Sequence, residues 1–364
     1  PSMRWGRWAV AGLGLALLAV TLAFSYMLVR STPLPVALRP GDGGVQRPIE
    51  QSEDRQSLPR DSEVVKAPEP LGDVQLPISA EAARYWPRFR GPGGLGVSMY
   101  TNLPLSWNAT TGENILWKSP VPLPGVNSPV VWDKRVFVTG ADDKRRQVYC
   151  FDADGGQLLW SAEVPGTPES TARAPKVMAD TGFAAPTAAT DGQRVYAIFA
   201  NGDLAAFDLR GKLVWNLSLG IPDNSYGHAS SLELYKGLLI VQFDQATAKE
   251  GKSRLYGLDA ATGKIVWQTA REVPNSWATP MVIRAAGRDH LITCADPWAI
   301  AYDPAGGQEI WRAKVLRHDV GPSPTFADGL VYVANQYPYL SAIKPDGSGD
   351  VTKSHVVFTA EDGL

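Results

Sequence analysis

A few side chains in this sequence are well suited to recognise a ligand. They lie just before short motifs that recur along the chain, each consisting of a small residue followed by proline or serine. They are Asn127, Phe183, Tyr226, His228, Ser276, Trp277 and His318. Amide, hydroxyl and imidazole groups form hydrogen bonds, and aromatic rings stack, so this set could supply binding specificity. For each residue, the alternative is a turn position whose polar atoms are satisfied by neighbouring backbone.

No catalytic motif accompanies these residues. The four histidines have no His-x-x-x-His zinc spacing, and the sequence lacks both Gly-x-Ser-x-Gly and a phosphate-binding loop. The glycine-rich stretch at residues 91–96 follows no predicted strand and opens no helix, which indicates a turn. The cysteines, Cys150 and Cys294, form neither a CxxC pair nor a CxxCH haem motif. We therefore assign no catalytic, cofactor-binding or metal-ligating residue from the sequence.

The elements that position the candidates are repeated β-hairpins. Residues 255–267 read LYGLDAATGKIVW, and similar stretches are VYCFDADGGQLLW at 148–160, LAAFDLRGKLVW at 204–215 and AIAYDPAGGQEIW at 299–311. Apolar flanks around an Asp- and Gly-containing centre predict two strands joined by a tight turn. The Asp side chain accepts turn N–H groups, and Gly supplies the positive φ. The recurring tryptophan is best explained as packing between neighbouring units.

The repeat predicts an all-β fold, a β-propeller of four-stranded antiparallel blades. The docking tryptophans are Trp117, Trp160, Trp215, Trp267 and Trp311. Each hairpin follows an inner strand and a hydrophobic second strand, and repeats of roughly 40–55 residues are typical of propeller blades. In the fifth unit, Phe358 stands where tryptophan would.

The candidate binding residues belong to the mouth of the predicted central channel. Aligning the units on Pro129, Pro186, Ser231, Pro280 and Pro324 brings five different residues to one position: Val126, Phe183, His228, Trp277 and Gly321. A position that every blade presents to the same funnel, and that each fills differently, is where specificity could reside.

Five blades predict an incomplete propeller. A leading tryptophan strand at residues 114–121 has no paired strands of its own, and the chain stops just after the fifth blade. We therefore expect an open arc, part of a seven- or eight-bladed propeller, whose unpaired edges favour association.

The first 84 residues predict a membrane anchor followed by a tether. Residues 8–29 carry no charge and are long enough to span a bilayer as a helix, with a cleaved signal peptide as the alternative. Arg4 and Arg7 precede this helix and favour a cytoplasmic N-terminus, which would place the propeller in the periplasm. Residues 31–84 are proline-rich and lack aromatic side chains, so a disordered linker is expected before the propeller at 85–364. A formal charge of −2 gives no electrostatic case for nucleic acid.

The chain resembles the pyrroloquinoline-quinone (PQQ) repeat propellers, on the Asp-x-x-Thr-Gly-x-x-x-Trp hairpins described above. More narrowly, WPRFRGPGG at Trp86, NSPVVWDKRVFVT at Asn127 and YGHASS at Tyr226 are similar to uncharacterised PQQ-binding-like proteins of planctomycete-type bacteria. The superfamily includes quinoprotein alcohol dehydrogenases and the lipoprotein subunit of the outer-membrane barrel-assembly machine. For a dehydrogenase the resemblance implies adjacent cysteines in a ring disulfide, a calcium held by Glu and Asn, and an Asp base at the funnel centre.

Two functions follow as hypotheses. The first is a membrane-anchored propeller that binds or scaffolds a protein, peptide or cell-envelope partner outside the cytoplasm and needs no cofactor. The alternative is a PQQ- and calcium-dependent oxidoreductase. Adjacent cysteines are absent, and no acidic cluster recurs in the inner strands, which favours the first hypothesis.

Overall fold

A computed structural model describes residues 77–98, 100–336 and 340–360. The predicted anchor at residues 8–29 and the linker up to residue 76 lie outside this range. Among the residues described, no helix is long and apolar enough to cross a membrane.

The described part of the chain is built from short β-strands and a few single helical turns. In chain order the strands are β1 Val130–Trp132, β2 Arg135–Ala141, β3 Arg146–Asp152, β4 Leu158–Glu163, β5 Ala189–Thr190, β6 Arg194–Ile198, β7 Asp203–Asp208, β8 Leu213–Ser218, β9 Glu233–Tyr235, β10 Leu238–Phe243, β11 Arg254–Asp259, β12 Ile265–Ala270, β13 Met281–Ala285, β14 Arg288–Ala295, β15 Trp298–Tyr302, β16 Glu309–Lys314, β17 Thr325–Ala327, β18 Leu330–Ala334, β19 Leu340–Ile343, β20 Gly349–Asp350 and β21 Val356–Ala360. The helical turns are α1 Pro168–Thr171 and the 3-10 turns Ala82–Arg84, Pro92–Gly94 and Ala248–Glu250.

The strands form five separate antiparallel sheets, each running through four strands in chain order. Blade 1 is β1–β4, blade 2 is β5–β8, blade 3 is β9–β12, blade 4 is β13–β16, and blade 5 is β17, β18, β19 and β21. Blade 4 gains the short parallel strand β20 at its outer edge. The predicted all-β fold of repeated four-stranded blades is confirmed.

Each blade ends in the hairpin that the sequence repeats, and its tryptophan faces a small residue. Trp160 pairs with Cys150, Trp215 with Ala206, Trp267 with Gly257 and Trp311 with Ala301. A Cβ at Gly257 would lie 2.2 Å from the Trp267 ring, so only a very small neighbour leaves room for the indole. Phe358 pairs with Ala342 and so holds the tryptophan position of blade 5.

Residues 114–121 do not form the predicted leading strand. They lie outside every named strand, although Trp117 still packs on the β3–β4 turn of blade 1. The physical reason is that no described strand lies beside them to complete a ladder of backbone hydrogen bonds.

Hydroxyl groups link the starts of successive blades. The backbone N–H of Ser128 donates to Thr187 Oγ1 (3.0 Å), that of Thr187 to Ser231 Oγ (3.0 Å), that of Ser231 to Thr279 Oγ1 (2.9 Å) and that of Thr279 to Ser323 Oγ (2.9 Å). This ladder sets the true equivalence of the five units. It differs from the sequence alignment in blades 2 and 3, because Thr187 rather than Ala185, and Ser231 rather than Ser230, supplies the hydroxyl.

A segment at residues 86–96, here called the central strap, runs along the first strands of the blades. Trp86 exchanges two backbone hydrogen bonds with Val131 of blade 1, and the Pro87 carbonyl accepts from Thr190 of blade 2. Arg88 forms a buried ion pair with Glu233 of blade 3. Leu95 packs against the core between blades 4 and 5, and Arg90 donates to the Pro324 carbonyl ahead of β17. The strap therefore contacts all five blades at the sheet edges that surround the central channel.

The apolar core lies mainly between neighbouring blades. Separate clusters fill the junctions of blades 1 and 2, 2 and 3, 3 and 4, and 4 and 5. Within the described ranges no such cluster joins blade 5 to blade 1, and Phe358 is 44% exposed. The described blades thus form a series without a closing apolar junction.

Candidate binding site

The candidate residues lie in the connections that enter the first strand of each blade, and most of their polar groups are already engaged. The Asn127 side chain donates to the carbonyls of Thr139 and Ala184, at 2.8 and 2.9 Å, and accepts from the Thr139 N–H. Asn127 therefore fastens blade 1 to the connection that enters blade 2. Phe183, beside it, is half-buried and packs against the core between these blades.

The hydroxyl ladder changes which residues are equivalent. Counting from Thr187 and Ser231, the residues that correspond to Trp277 in blades 2 and 3 are Ala185 and Ala229. Phe183 and His228 are offset from that position by two residues and one residue. The sequence alignment on Pro186 and Ser231 could not detect this shift, because the hydroxyl rather than the proline is the shared structural element.

His228 is buried and stacks on Phe243, with ring centroids 5.1 Å apart. Its backbone N–H donates to the Ala200 carbonyl, whereas ring atom Nε2 has no hydrogen-bond partner among the described residues. Burial lowers the pKa of His228 to about 4. The neutral imidazole thus packs as an apolar ring against blade 3.

This pKa predicts acid sensitivity that can be assigned to His228. Between pH 6.5 and pH 4 the unfolded chain binds a proton at this histidine and the folded chain does not. Stability present above pH 6.5 is therefore lost as the pH falls to about 4, by about 3 kcal/mol in total. Denaturant unfolding across this range should show a shallower pH dependence in His228→Gln and His228→Phe. Parallel profiles for wild type and both variants would contradict the assignment.

Tyr226, Ser276 and Trp277 come together at the junction of blades 3 and 4. The Tyr226 and Trp277 rings meet edge-on, with centroids 4.8 Å apart. The Ser276 hydroxyl is buried and donates to Asp244 Oδ2 at 2.7 Å. His318 is exposed, at a positive φ of 62°, in the connection that enters blade 5.

Asp244, which directly follows β10, belongs to a buried network that no local sequence motif indicates. Its carboxylate accepts two hydrogen bonds from Arg271, at 2.7 and 3.1 Å, and both side chains are completely buried. Arg271 also donates to Thr293 and Tyr302. Burial alone would lower the pKa of Arg271, but the Asp244 charge and Tyr302 outweigh it, so the pKa is raised.

Buried charges elsewhere are paired in the same way. Arg146 of blade 1 lies 3.1 Å from Asp203 of blade 2, and Arg88 of the strap contacts Glu233 of blade 3. Each pair joins two structural elements, and such pairs fix the relative positions of those elements. The buried carboxylates and guanidinium groups are therefore committed to structure.

A cavity of about 410 Å³ lies beside the central strap. Its volume falls within the range of small-molecule sites. Residues that line it include Ile78, Ala82, Arg88, Trp132, Leu234 and Lys236. None of the lining residues carries a buried side-chain polar atom without a partner, so no unsatisfied group points to a ligand.

Two features that the resemblance implies for a dehydrogenase, adjacent cysteines and a cluster of calcium ligands, can be compared with the described residues. Cys150 and Cys294 are free, buried thiols in blades 1 and 4, and burial raises the pKa of each to about 12. Across residues 77–98, 100–336 and 340–360, no group of three or more His, Cys, Asp or Glu could hold a metal ion.

An exposed apolar segment stands out instead. Leu103, Leu105 and Trp107 are 55%, 99% and 66% exposed, at alternating positions of a stretch without regular secondary structure that bends at Leu105. The backbone groups of residues 101–105 have no hydrogen-bond partner within the described structure. Period-two alternation of these apolar side chains is the sequence signal that indicates this segment.

Comparisons with known proteins agree with this architecture. A PQQ-repeat family model, described as outer membrane protein assembly factor BamB, matches residues 93–242 and 295–354. The tetrathionate hydrolase of Acidithiobacillus ferrooxidans is 23% identical over 252 residues, covering 65% of this chain. The chain spans about half, 46%, of the length of that curated relative.

Solved structures show the same fold. BamB from Moraxella catarrhalis superposes with a TM-score of 0.50 at 16% identity, over 69% of each chain. Quinohemoprotein alcohol dehydrogenase from Comamonas testosteroni gives 0.54 at 16% identity, over 78% of this chain and 50% of that one. The family match covers more than half of the 364 residues and agrees with the hairpins, blades and docking tryptophans. This chain is therefore a β-propeller protein of the PQQ-repeat family.

Proposed function

We propose that this chain binds or scaffolds a protein or peptide partner in the cell envelope. The observation that carries this function is the exposed, alternating apolar segment at residues 103–107. Apolar side chains in a contiguous exposed run are typical of interaction surfaces.

The proposal includes a cellular location for the propeller. Residues 8–29 would anchor the chain in the inner membrane as a single span, with the propeller on the periplasmic side. The family description names an assembly factor for outer membrane proteins, which supports a protein partner rather than a small-molecule substrate.

The side-chain chemistry argues against the PQQ-dependent alternative. The buried acids Asp203, Glu233 and Asp244 each form an ion pair with an arginine of another structural element. Both cysteines are protonated at neutral pH, because burial raises their pKa values. Partner binding therefore accounts for the described residues better than redox catalysis.

The test is capture of partners from envelope extract by the complete tagged chain in detergent. We expect wild type to retain at least one envelope protein reproducibly, and Leu105→Ser and Trp107→Ser to lose it. Both side chains are largely exposed, so substitution should leave the fold intact. Val266→Ser is the matched control, since Val266 is 58% exposed but lies on the outer strand of blade 3.

Two results would contradict the proposal. The first is equal capture by wild type and both segment variants, which would place the binding surface elsewhere. The second is retention of PQQ after incubation with PQQ and calcium, followed by dye-linked oxidation of an alcohol, which would favour the oxidoreductase.

A further inference from the structure

The cavity beside the central strap has walls from three parts of the chain. One wall is residues 77–82, the second is the strap, and most of the third comes from the first strands of blades 1–3 and the turns that follow them. Ile78, Ala82, Trp132 and Leu234 give the cavity apolar walls. Its volume of about 410 Å³ is in the range that accommodates small ligands, so it can enclose a long side chain.

Most of the ionic groups in these walls are paired. Four charged side chains line the cavity in the part of the chain that the structure describes, and three of them have an opposite charge beside them. The pairs are Arg88 with Glu233, Lys236 with Asp289 at 2.9 Å, and Asp191 with Arg194 at 3.8 Å. Asp289 also contacts Arg284, which is not part of the lining. Opposite charges this close largely cancel at longer range, so these pairs leave little net charge in the cavity.

Glu81 is the fourth charged side chain, and no described cation lies within ion-pair distance of its carboxylate. The residue is exposed, and its backbone carbonyl accepts the Arg84 N–H at 3.0 Å, which holds it at the start of the 3-10 turn Ala82–Arg84. Water can solvate this carboxylate, so its charge carries no burial cost. The buried polar atoms of the lining are all partnered within the described structure, and Glu81 therefore gives the cavity its net negative charge.

An uncompensated carboxylate beside apolar walls matches a ligand with an apolar stem and a cationic end. Lysine and arginine side chains have this form, since their methylene groups pack on apolar surface while the charged head group stays accessible. The planar guanidinium can also donate two parallel hydrogen bonds to one carboxylate. Arginine is, in addition, enriched among the residues that dominate the binding energy of protein interfaces. The cavity therefore suits arginine better than an anion, for which its described walls offer no unpaired cation.

The cavity adjoins the exposed apolar segment at residues 103–107. The Tyr100 hydroxyl donates to the Arg84 carbonyl at 3.0 Å, so the chain passes the end of the cavity wall just before this segment. Leu103 is three residues further along, and its Cα therefore lies within about 11 Å of that of Tyr100. One partner can thus cover the exposed segment and reach the cavity.

We propose that this cavity receives an arginine side chain of the protein partner. The guanidinium pairs with Glu81, and the methylene stem lies along Trp132 and Leu234. This inference rests on the proposed function, and it names the type of residue by which the partner is anchored. A free amphipathic cation, such as a small alkylguanidine, is the competing occupant. The position of the cavity next to residues 103–107 favours the side chain of a partner.

The test compares two peptides, acetyl-Leu-Arg-Leu-amide and its citrulline counterpart, which keeps the shape of arginine but has no charge. Saturation-transfer NMR on the complete chain in detergent should show the arginine peptide binding at least tenfold more tightly, because citrulline cannot form the charge-assisted pair. In Glu81→Gln the two peptides should bind equally. Glu163→Gln is the matched control and should keep the wild-type preference, since Glu163 is an exposed acid at the end of β4, outside the cavity lining. Both substitutions are at exposed positions and should leave thermal unfolding unchanged.

Three outcomes would overturn the inference. They are the absence of any preference for the arginine peptide at millimolar concentration, a preference that survives Glu81→Gln, and binding of butylguanidine as tight as that of the peptide. The last would make the cavity a small-molecule site. Envelope capture separates this inference from the proposed function, and we expect Glu81→Gln to weaken it. Capture that depends on Leu105 and Trp107 but not on Glu81 contradicts only the cavity assignment. A Glu81-dependent arginine preference without envelope capture contradicts only the proposed cellular role.

Discussion

Replacing Trp311 with alanine should lower the free energy of unfolding by about 3–5 kcal/mol, the range for truncating a large buried aromatic side chain. Trp311 is completely buried in the core between blades 4 and 5, and its indole N–H is bonded to Pro345. Truncation removes the ring from two blades at once and leaves a carbonyl without its donor. The loss would be a large share of the stability typical of one domain. Equilibrium unfolding in guanidinium chloride measures it.

Trp107→Ala is the control for this experiment. Its side chain is 66% exposed, so a change within about 0.5 kcal/mol is expected. A Trp311→Ala protein that unfolds at the wild-type denaturant concentration would refute the role of the tryptophan as the joint between blades.

Arg271→Met should be comparably damaging, at about 3–5 kcal/mol, because it leaves a buried carboxylate without its counter-ion. Asp244 would keep the donors of Gln242 and Ser276 but lose both contacts to the guanidinium. Thr293 and Tyr302 would lose their shared partner as well. Thermal and denaturant unfolding should both show the loss.

Two further variants separate the buried charge from ordinary packing. Asp244→Asn combined with Arg271→Met should recover part of the stability, since the uncompensated charge is gone. Arg312→Met, which breaks the partly exposed pair with Glu309, should cost no more than about 1 kcal/mol. Equal destabilisation by Arg271→Met and Arg312→Met would show that breaking the buried ion pair of Asp244 costs no more than breaking a partly exposed one.

The repeated part of the fold could be predicted because its signals are local. The Asp, Gly and Trp of each hairpin lie within nine residues, and they report turn geometry and packing without reference to the rest of the chain. Phe358 could likewise be placed at the tryptophan position of blade 5. The strand predicted at residues 114–121 does not form, because a strand needs a neighbouring strand for its backbone hydrogen bonds. The local sequence cannot show whether such a neighbour is present.

The site was harder to predict because its contacts are distant in sequence. No motif near Asp244 predicts its ion pair with Arg271, and no pattern in residues 86–96 predicts that Arg88 pairs with Glu233. Both contacts depend on which blades become neighbours and on what lies between them. Likewise, the offset of Phe183 and His228 depends on a hydroxyl ladder whose rungs are in different blades.

The central strap has a consequence for cooperativity. Without it, each described blade would be stabilised only by the blades beside it, and stability would be a sum of nearest-neighbour terms, as in linear repeat arrays. Because residues 86–96 contact the first strand or its entry in all five blades, one short segment couples blades that never meet. Loss of any blade then weakens the attachment of the strap to all the others. We therefore expect hydrogen exchange in the first strands to proceed through a single concerted opening rather than blade by blade, and a graded series of exchange rates from blade 1 to blade 5 would argue against it.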